Sequence, residues 1–281
     1  MILMVGILAD PVICYFMDYC MDSKVDFAFV DVNLLGQEIF FDQTHWFIPN
    51  SPPLAHKSIT GVFNRVLFSW ANYHELQKDL LIRLFNWMDT IYPKVLNRPK
   101  STYSNLSKPL QLQWASAFSF WEIPDSWIVS FNKIRVEDPC ICKSISSSRS
   151  IVNNVYYQQH LKIYEPALVQ EHLNGLNIRL HICDQSYTAT AIESSSVDYR
   201  YNKIDNHYFD YHDLPLDLVH GAIEFANRIG LVFCGIDLIF SKGRYYFLEA
   251  NPSPGYSYFE SQLSHHQISS SLVNYLGGRV R

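Results

Sequence analysis

The sequence predicts an α/β protein built in three parts, and three observations carry that reading. Its 281 residues exceed one average domain. The first hundred residues alternate short apolar runs with amphipathic, helix-period segments. The last third holds long runs in which apolar and polar residues alternate with period two, as half-buried strands require. The parts divide at 1–100, 101–165 and 166–281: a small N-terminal α/β unit followed by two α+β units.

In the first part, 1–8 reads as a strand, 11–21 as a helix and 27–32 as a second strand. A long amphipathic helix follows over 67–88, with Trp70, Leu80, Leu84 and Trp87 as core contacts. Pro93 and Pro99 then bracket a short extended segment, which marks the boundary. The second part reads as a helix over 109–120 and strands over 126–129 and 140–144, closed by a serine-rich loop over 144–150. The third opens with a strand over 167–170 and two alternating strands over 177–183 and 187–193. A helix over 214–228 carries Leu216, Val219, Ile223 and Ala226 on one stripe, with Gly230 as its stop signal. A hairpin of 231–240 and 244–250 precedes a closing helix.

Composition excludes several function classes. With 18 Tyr, 18 Phe and 6 Trp, the aromatic share is high, and most of these residues serve packing because aromatics bury large areas. A formal charge of −5 offers no basic footprint for nucleic acid. The apolar N-terminus has no positive flank and meets Asp10 early, so it reads as a buried strand rather than a signal peptide. No stretch has the length of a membrane span. Six scattered cysteines read as reduced, and His207, His212, His265 and His266 lack zinc-type spacing. These features predict a cytoplasmic protein.

The most informative segment runs from Phe233 to Gly255. Two apolar strands each carry an acid in their interior, Asp237 in one and Glu249 in the other. Buried carboxylates are costly without a cationic partner. A three-residue loop at 241–243 with Gly243 left-handed would place Asp237 opposite Phe247, with Glu249 a diagonal neighbour on the same face. A two-residue loop would send one acid to the opposite face. Asn251, two residues beyond Glu249, shares its face and offers an amide oxygen. Two carboxylates and an amide oxygen are hard ligands suited to Mg²⁺, which keeps waters and substrate phosphates as its other ligands. Either acid alone is better explained as half of a structural ion pair; the three together, followed by Pro-Ser-Pro-Gly, are not.

Asp237…Glu249-x-Asn251 with the prolines behind it resembles the magnesium-binding end of ATP-grasp ligases. Most of the chain shares the likeness: Val95-Leu-Asn-Arg-Pro99, Ser107-Lys-Pro-Leu-Gln111, Ile123-Pro, the segment from Lys143 to Val152, Asp198-Tyr-Arg200 and Asn251-Pro-Ser-Pro-Gly255 look like motifs of a bacterial subgroup. Its better-known relatives are the ribosomal-protein glutamate ligases and the graspetide maturases. The resemblance implies an α+β ATP-grasp fold whose second and third parts clamp ATP, with Mg²⁺ held by Asp237, Glu249 and Asn251.

It also implies roles elsewhere. Lys143 resembles the family's phosphate-binding lysine, and the loop after it, with Ser147 and Arg149, resembles the flap that folds over the nucleotide. Serine stands there where the family has glycine. A lysine with backbone amides and hydroxyls makes an anion cradle on physical grounds as well. Lys108, at a helix start, resembles the second phosphate lysine. Gln170, Glu171, His172 and Leu173 resemble the hinge whose backbone meets the adenine edge. Arg179, on the polar side of its strand beside His181, and Arg200 match arginines that point at the γ-phosphate or acyl phosphate, a charge that the guanidinium fork suits. Arg65 and Arg98 are expected to shape the substrate pocket.

The expected activity is an ATP-dependent carboxylate–amine ligase working through an acyl phosphate on an amino acid or peptide, with no nucleic acid or membrane partner. Homo-oligomerisation stays open. Two alternatives stand beside it: a graspetide-type macrocyclase forming ester or amide crosslinks, and a catalytically silent nucleotide-binding module.

Overall fold

A parallel sheet organises the first unit of this computed structural model, which describes residues 1–66, 75–130, 133–145, 154–194, 196, 199 and 206–278. Its elements run β1 (Ile2–Gly6), α1 (Pro11–Asp22), β2 (Phe27–Asp31), three short strands β3 (Phe40–Phe41), β4 (His45–Phe47) and β5 (Leu54–Ala55), then β6 (Gly61–Asn64), α2 (Glu75–Thr90) and β7 (Val95–Leu96). The strand order is β2-β1-β6-β7, with every pairing parallel. The central β1 is buried along its whole length, because a parallel sheet has both faces covered. One face packs on α1 and on helices from the far end of the chain; the other packs on α2 and the small β3–β5 sheet. Asp10 starts α1 by accepting the N–H of Val12 at 2.9 Å, and Pro11 fills the first helical position.

The middle unit holds α3 (Lys108–Ala115), β8 (Ser126–Val129), β9 (Lys133–Val136), β10 (Cys140–Ser144), β11 (Val155–Tyr156), β12 (Gln159–Lys162) and β13 (Ala167–Glu171). Four of its strands form an antiparallel sheet in the order β11-β10-β13-β8, and β9 pairs with β12. The last unit comprises β14 (Leu176–Cys183), β15 (Ser186–Glu193), β16 (His207–Asp210), α4 (Leu216–Arg228), β17 (Phe233–Ser241), β18 (Arg244–Asn251), α5 (Tyr256–Leu263) and α6 (Gln267–Leu276). Its five strands are antiparallel in the order β16-β15-β14-β17-β18. One face of this sheet is apolar and packs on α4 through Ile178, Leu180 and Ile182.

Several expectations need correction. Within the described residues the long helix covers Glu75–Thr90; Trp70 lies outside them, Leu84 is buried, and Leu80 and Trp87 pack at the edge of the same core. Leu216 is 65% exposed at the first turn of α4, and Leu218 takes its place in the core beside Val219 and Ile223. The closing helix is two helices. α5 ends at a left-handed Ser264, and the buried Glu260 caps the start of α6 by accepting the N–H groups of Ile268 and Ser269 at 2.6 and 2.9 Å. Packing also crosses the sequence-based division. Strand β13 belongs to the middle sheet, while Leu112, Ala115 and Trp121 enter the core of the C-terminal sheet.

Candidate active site

The site lies on the polar face of the C-terminal sheet, where the β17–β18 hairpin sets its register by two compensating features. The turn has two residues, Lys242 and Gly243, both with positive φ (49° and 79°), and Ser241 pairs with Arg244. Such a turn alone would put the two acids on opposite faces. A bulge interrupts the ladder: Leu238 pairs with Phe247 and Asp237 with Glu249, so Leu248 is the extra residue. The three-residue loop expected from sequence is therefore wrong. The acids are direct neighbours rather than diagonal ones, and Gly235 sits opposite Asn251.

A polar row crosses all five strands at this level. Asp210 pairs with Thr190, Thr190 with Arg179, Arg179 with Asp237, and Asp237 with Glu249. Arg179 donates from Nη1 to Asp237 Oδ1 at 2.6 Å. Burial alone would lower the guanidinium pKa, but the charges of Asp237, Tyr199 and Glu249 and the bond to Asp237 raise it, so it stays a cation. Gly235 permits this placement, since a Cβ there would come within 2.7 Å of Arg179 Nε. His181, two residues on, is buried, and burial together with the Arg179 charge pushes its pKa well down, leaving a neutral ring. Tyr199 adds a hydroxyl that donates to Asp237 Oδ1 at 3.3 Å.

Helix α3 closes the site from the other side. Ser107 caps it, accepting the N–H of Leu110 at 3.3 Å. Lys108 and Gln111, three residues apart, share the helix face that meets β18. Lys108 Nζ stands 3.4 Å from Glu249 Oε2, and both side chains are largely buried. Gln111 grips the next residue at both backbone groups, donating to Ala250 O at 2.8 Å and accepting Ala250 N–H at 3.0 Å. Lys143 is on β10, two residues before Ile145, whose carbonyl accepts the Lys108 N–H at 2.8 Å. Both lysines thus come to one seam between the middle and C-terminal sheets.

The seam continues through the expected hinge. Gln170 is fully buried and donates to Ser126 Oγ at 2.9 Å. Glu171 and His172 give their N–H groups to Asp125 O and Pro139 O at 2.9 and 2.8 Å. Leu173 follows in the short connection that enters β14. Burial lowers the His172 pKa. Ser147, Arg149 and Arg200 lie outside the described residues.

A cleft of about 230 Å³ opens at this point, lined by Arg179, Asp237, Glu249 and Asn251 and walled by aromatic side chains, among them Tyr199 and Tyr258. The donor set fits a magnesium ion. Two carboxylates face each other, and Asn251 Oδ1 accepts only the Ser253 N–H at 2.9 Å among the described residues, so it keeps a second lone pair. Nε of Arg179 is buried without a hydrogen-bond partner among the described residues, a donor aimed at no protein acceptor. Sequence reasoning missed the aromatic wall of Tyr199, Tyr208, Tyr258 and Phe259. The run Tyr256-Ser-Tyr-Phe259, directly behind Asn251-Pro-Ser-Pro-Gly255, was the available signal.

The two arginines expected at the substrate pocket separate. Arg65 does reach the turn behind Asn251, donating to Ser253 Oγ at 2.6 Å and to Pro254 O at 3.1 Å. Arg98 does not. Its guanidinium donates to the carbonyls of Met88 and Asp89, in the last turn of α2, and of Tyr92 and Pro93 in the segment that follows it. It is a helix-end anchor.

Two sheet units meeting at a seam of lysines and paired acids define an ATP-grasp protein. Comparison with known proteins makes the class specific: residues 124–276 match the RimK-like ATP-grasp domain, over half of the sequence, so the chain belongs to the RimK-like ATP-grasp family. Members of that family are ATP-dependent ligases that use ATP and Mg²⁺. No curated protein matches the sequence. Among solved structures, the chain is similar to a RiPP-associated ATP-grasp ligase of Chryseobacterium gregarium in complex with ADP and a leader and core peptide, at 18% identity and TM-score 0.77, covering 98% of this chain and 96% of that one. It is also similar to the macrocyclase MdnC of Microcystis aeruginosa bound with the precursor peptide MdnA (17%, TM-score 0.74, 98% and 99% covered). The D-alanine–D-alanine ligase of Bacillus anthracis is more distant (13%, TM-score 0.57, 98% and 93% covered). At these identities the likeness is one of fold. Among the described residues no helix is long and apolar enough to cross a membrane.

Proposed function

We propose that this protein is an ATP-dependent ligase that activates a peptide carboxylate as an acyl phosphate and passes the acyl group to an amine. One observation carries the reading: Asp237, Glu249 and Asn251 converge on one cleft with Arg179 and, through Glu249, with Lys108. Mg²⁺ held by the two acids and the amide would neutralise charge on the triphosphate. Lys108 and Lys143 would bind phosphate oxygens, and Arg179 would stabilise charge on the transferred phosphoryl group. The substrate carboxylate attacks the γ-phosphorus and ADP leaves. The amine then attacks the acyl carbon, loses a proton, and expels phosphate. No protein nucleophile takes part, since positioning and electrostatics carry the rate.

A peptide substrate is supported by the solved relatives, several of which are complexed with precursor peptides. The same likeness, extending over 98% of this chain to a macrocyclase, favours ring closure within one peptide as a second reading. Incubation with MgATP and a panel of peptides bearing Asp or Glu with Lys, Ser or Thr should release ADP and phosphate only with a competent peptide. That peptide should lose the mass of one water for each bond formed. AMP and pyrophosphate would instead identify adenylation and overturn the proposal.

A further inference from the structure

Asn251 stands at the end of β18, and the chain then turns through Pro252-Ser-Pro-Gly255 into α5. Two of those four residues are prolines without an N–H, so the turn has few donors with which to fix itself. The structure fixes it from outside. Pro252 O accepts from Asn97 Nδ2 at 2.6 Å, Ser253 Oγ from Arg65 Nη1 at 2.6 Å, and Pro254 O from Arg65 Nη1 at 3.1 Å. Three consecutive residues are thus held by two side chains of the N-terminal unit, one at the end of β6 and one after β7.

Both side chains are themselves fixed. Arg65 Nε donates to Asp10 Oδ2 at 2.8 Å, and the other oxygen of Asp10 caps α1. The Asn97 amide also donates to Phe233 O, while its oxygen accepts the N–H groups of Val232 and Phe233 at 3.0 and 2.9 Å. Asn97 therefore ties the start of β17 to the end of β18, at the open end of the hairpin that carries Asp237 and Glu249. Asn251 Oδ1 accepts the Ser253 N–H, so its orientation depends on where Ser253 is held.

We propose that Arg65 and Asn97 are positioning residues, through which the N-terminal unit sets the orientation of Asn251 and so the magnesium affinity of the site. The inference rests on the reading of Asn251 as a metal ligand. It assigns Arg65 a duty to the turn rather than to substrate, and gives the first unit a part in nucleotide binding although none of its described residues lines the cleft.

The test measures ADP affinity by calorimetry at a series of Mg²⁺ concentrations, with thermal unfolding of each variant alongside. Arg65→Ala should raise the Mg²⁺ needed for half-maximal ADP binding by about 10–100-fold, the usual cost of removing a group that orients a metal ligand. Ser253→Ala, which removes one acceptor and leaves the backbone intact, should shift it in the same direction by less. Arg65→Lys, able to keep one contact, should recover part of the loss. Arg98→Ala serves as control; it loses four hydrogen bonds, two at the end of α2 and two just beyond it, and should lower the unfolding temperature without moving the Mg²⁺ requirement. Unchanged Mg²⁺ dependence in Arg65→Ala and Ser253→Ala, with Asn251→Ala strongly shifted, would overturn the positioning role and leave the metal site standing. An unshifted Asn251→Ala would overturn the metal reading itself. Should Arg65→Ala fail to fold, Arg65→Lys and Ser253→Ala decide the matter.

Discussion

The N-terminal parallel sheet and the C-terminal antiparallel sheet handle charge in opposite ways. In the parallel sheet, β1 is buried at every position and its neighbours pack into apolar clusters on both faces. Nothing charged could sit in its middle without a large desolvation cost. The antiparallel C-terminal sheet gives one face to α4 and lays a polar row from Asp210 to Glu249 across the other. Period-two alternation is what makes this possible, since each strand can be apolar toward the core and polar toward the site. On the proposed function, the parallel sheet is a scaffold and the C-terminal antiparallel one carries the chemistry.

Substitutions in the two sheets should therefore fail differently. The largest effect is expected at the hairpin: Glu249→Gln abolishes magnesium-dependent ATP turnover while leaving the fold intact by circular dichroism. Asp237→Asn should abolish turnover too. It also strands the buried Arg179 guanidinium, which should cost about 3–5 kcal/mol of stability in a denaturant titration. Turnover like that of the unsubstituted protein in both variants would remove the metal reading. The scaffold should show the converse. Leu3 is fully buried, and Leu3→Ala should cost about 2–5 kcal/mol of stability. The variant that remains folded should bind MgADP with unchanged affinity; a weakened affinity would break the division of labour between the sheets. The smallest effect falls at the seam. Lys143→Ala loses a charge-assisted phosphate contact and should weaken MgATP binding by about 1.5–3 kcal/mol in calorimetry. An unchanged dissociation constant would mean that the phosphates lie elsewhere.

Strands whose character is local were legible in the sequence. The strands 126–129 and 140–144 lie at the positions expected of them, and the acids of the hairpin announced themselves by being charged inside apolar runs. Register was harder. Lys242-Gly243 does not advertise a two-residue turn as Asn-Gly would, and nothing in Phe247-Leu-Glu249 marks Leu248 as a bulge. The two irregularities each reverse the face of a side chain, and together they cancel. Reach was harder still. Arg65 and Arg98 look alike in sequence, yet one touches the turn behind Asn251 and the other the end of α2, because the paths of β6 and β7 set where each side chain points. The tyrosine wall was hidden by abundance: among 18 tyrosines, composition cannot distinguish Tyr199 and Tyr258 from those in the core.

The claim that a carboxylate is phosphorylated before it is transferred can be tested by following one atom. With a competent peptide whose acceptor carboxylates carry ¹⁸O, the reaction with MgATP should move one labelled oxygen into inorganic phosphate for each bond made. That is expected because the carboxylate oxygen that attacks the γ-phosphorus leaves with it when the amine displaces phosphate. Mass spectrometry of the released phosphate reads the result directly. Labelled phosphate appearing with ADP, in step with product, is the outcome the site geometry leads us to expect. Phosphate without label beside a correctly ligated product would contradict the acyl-phosphate route.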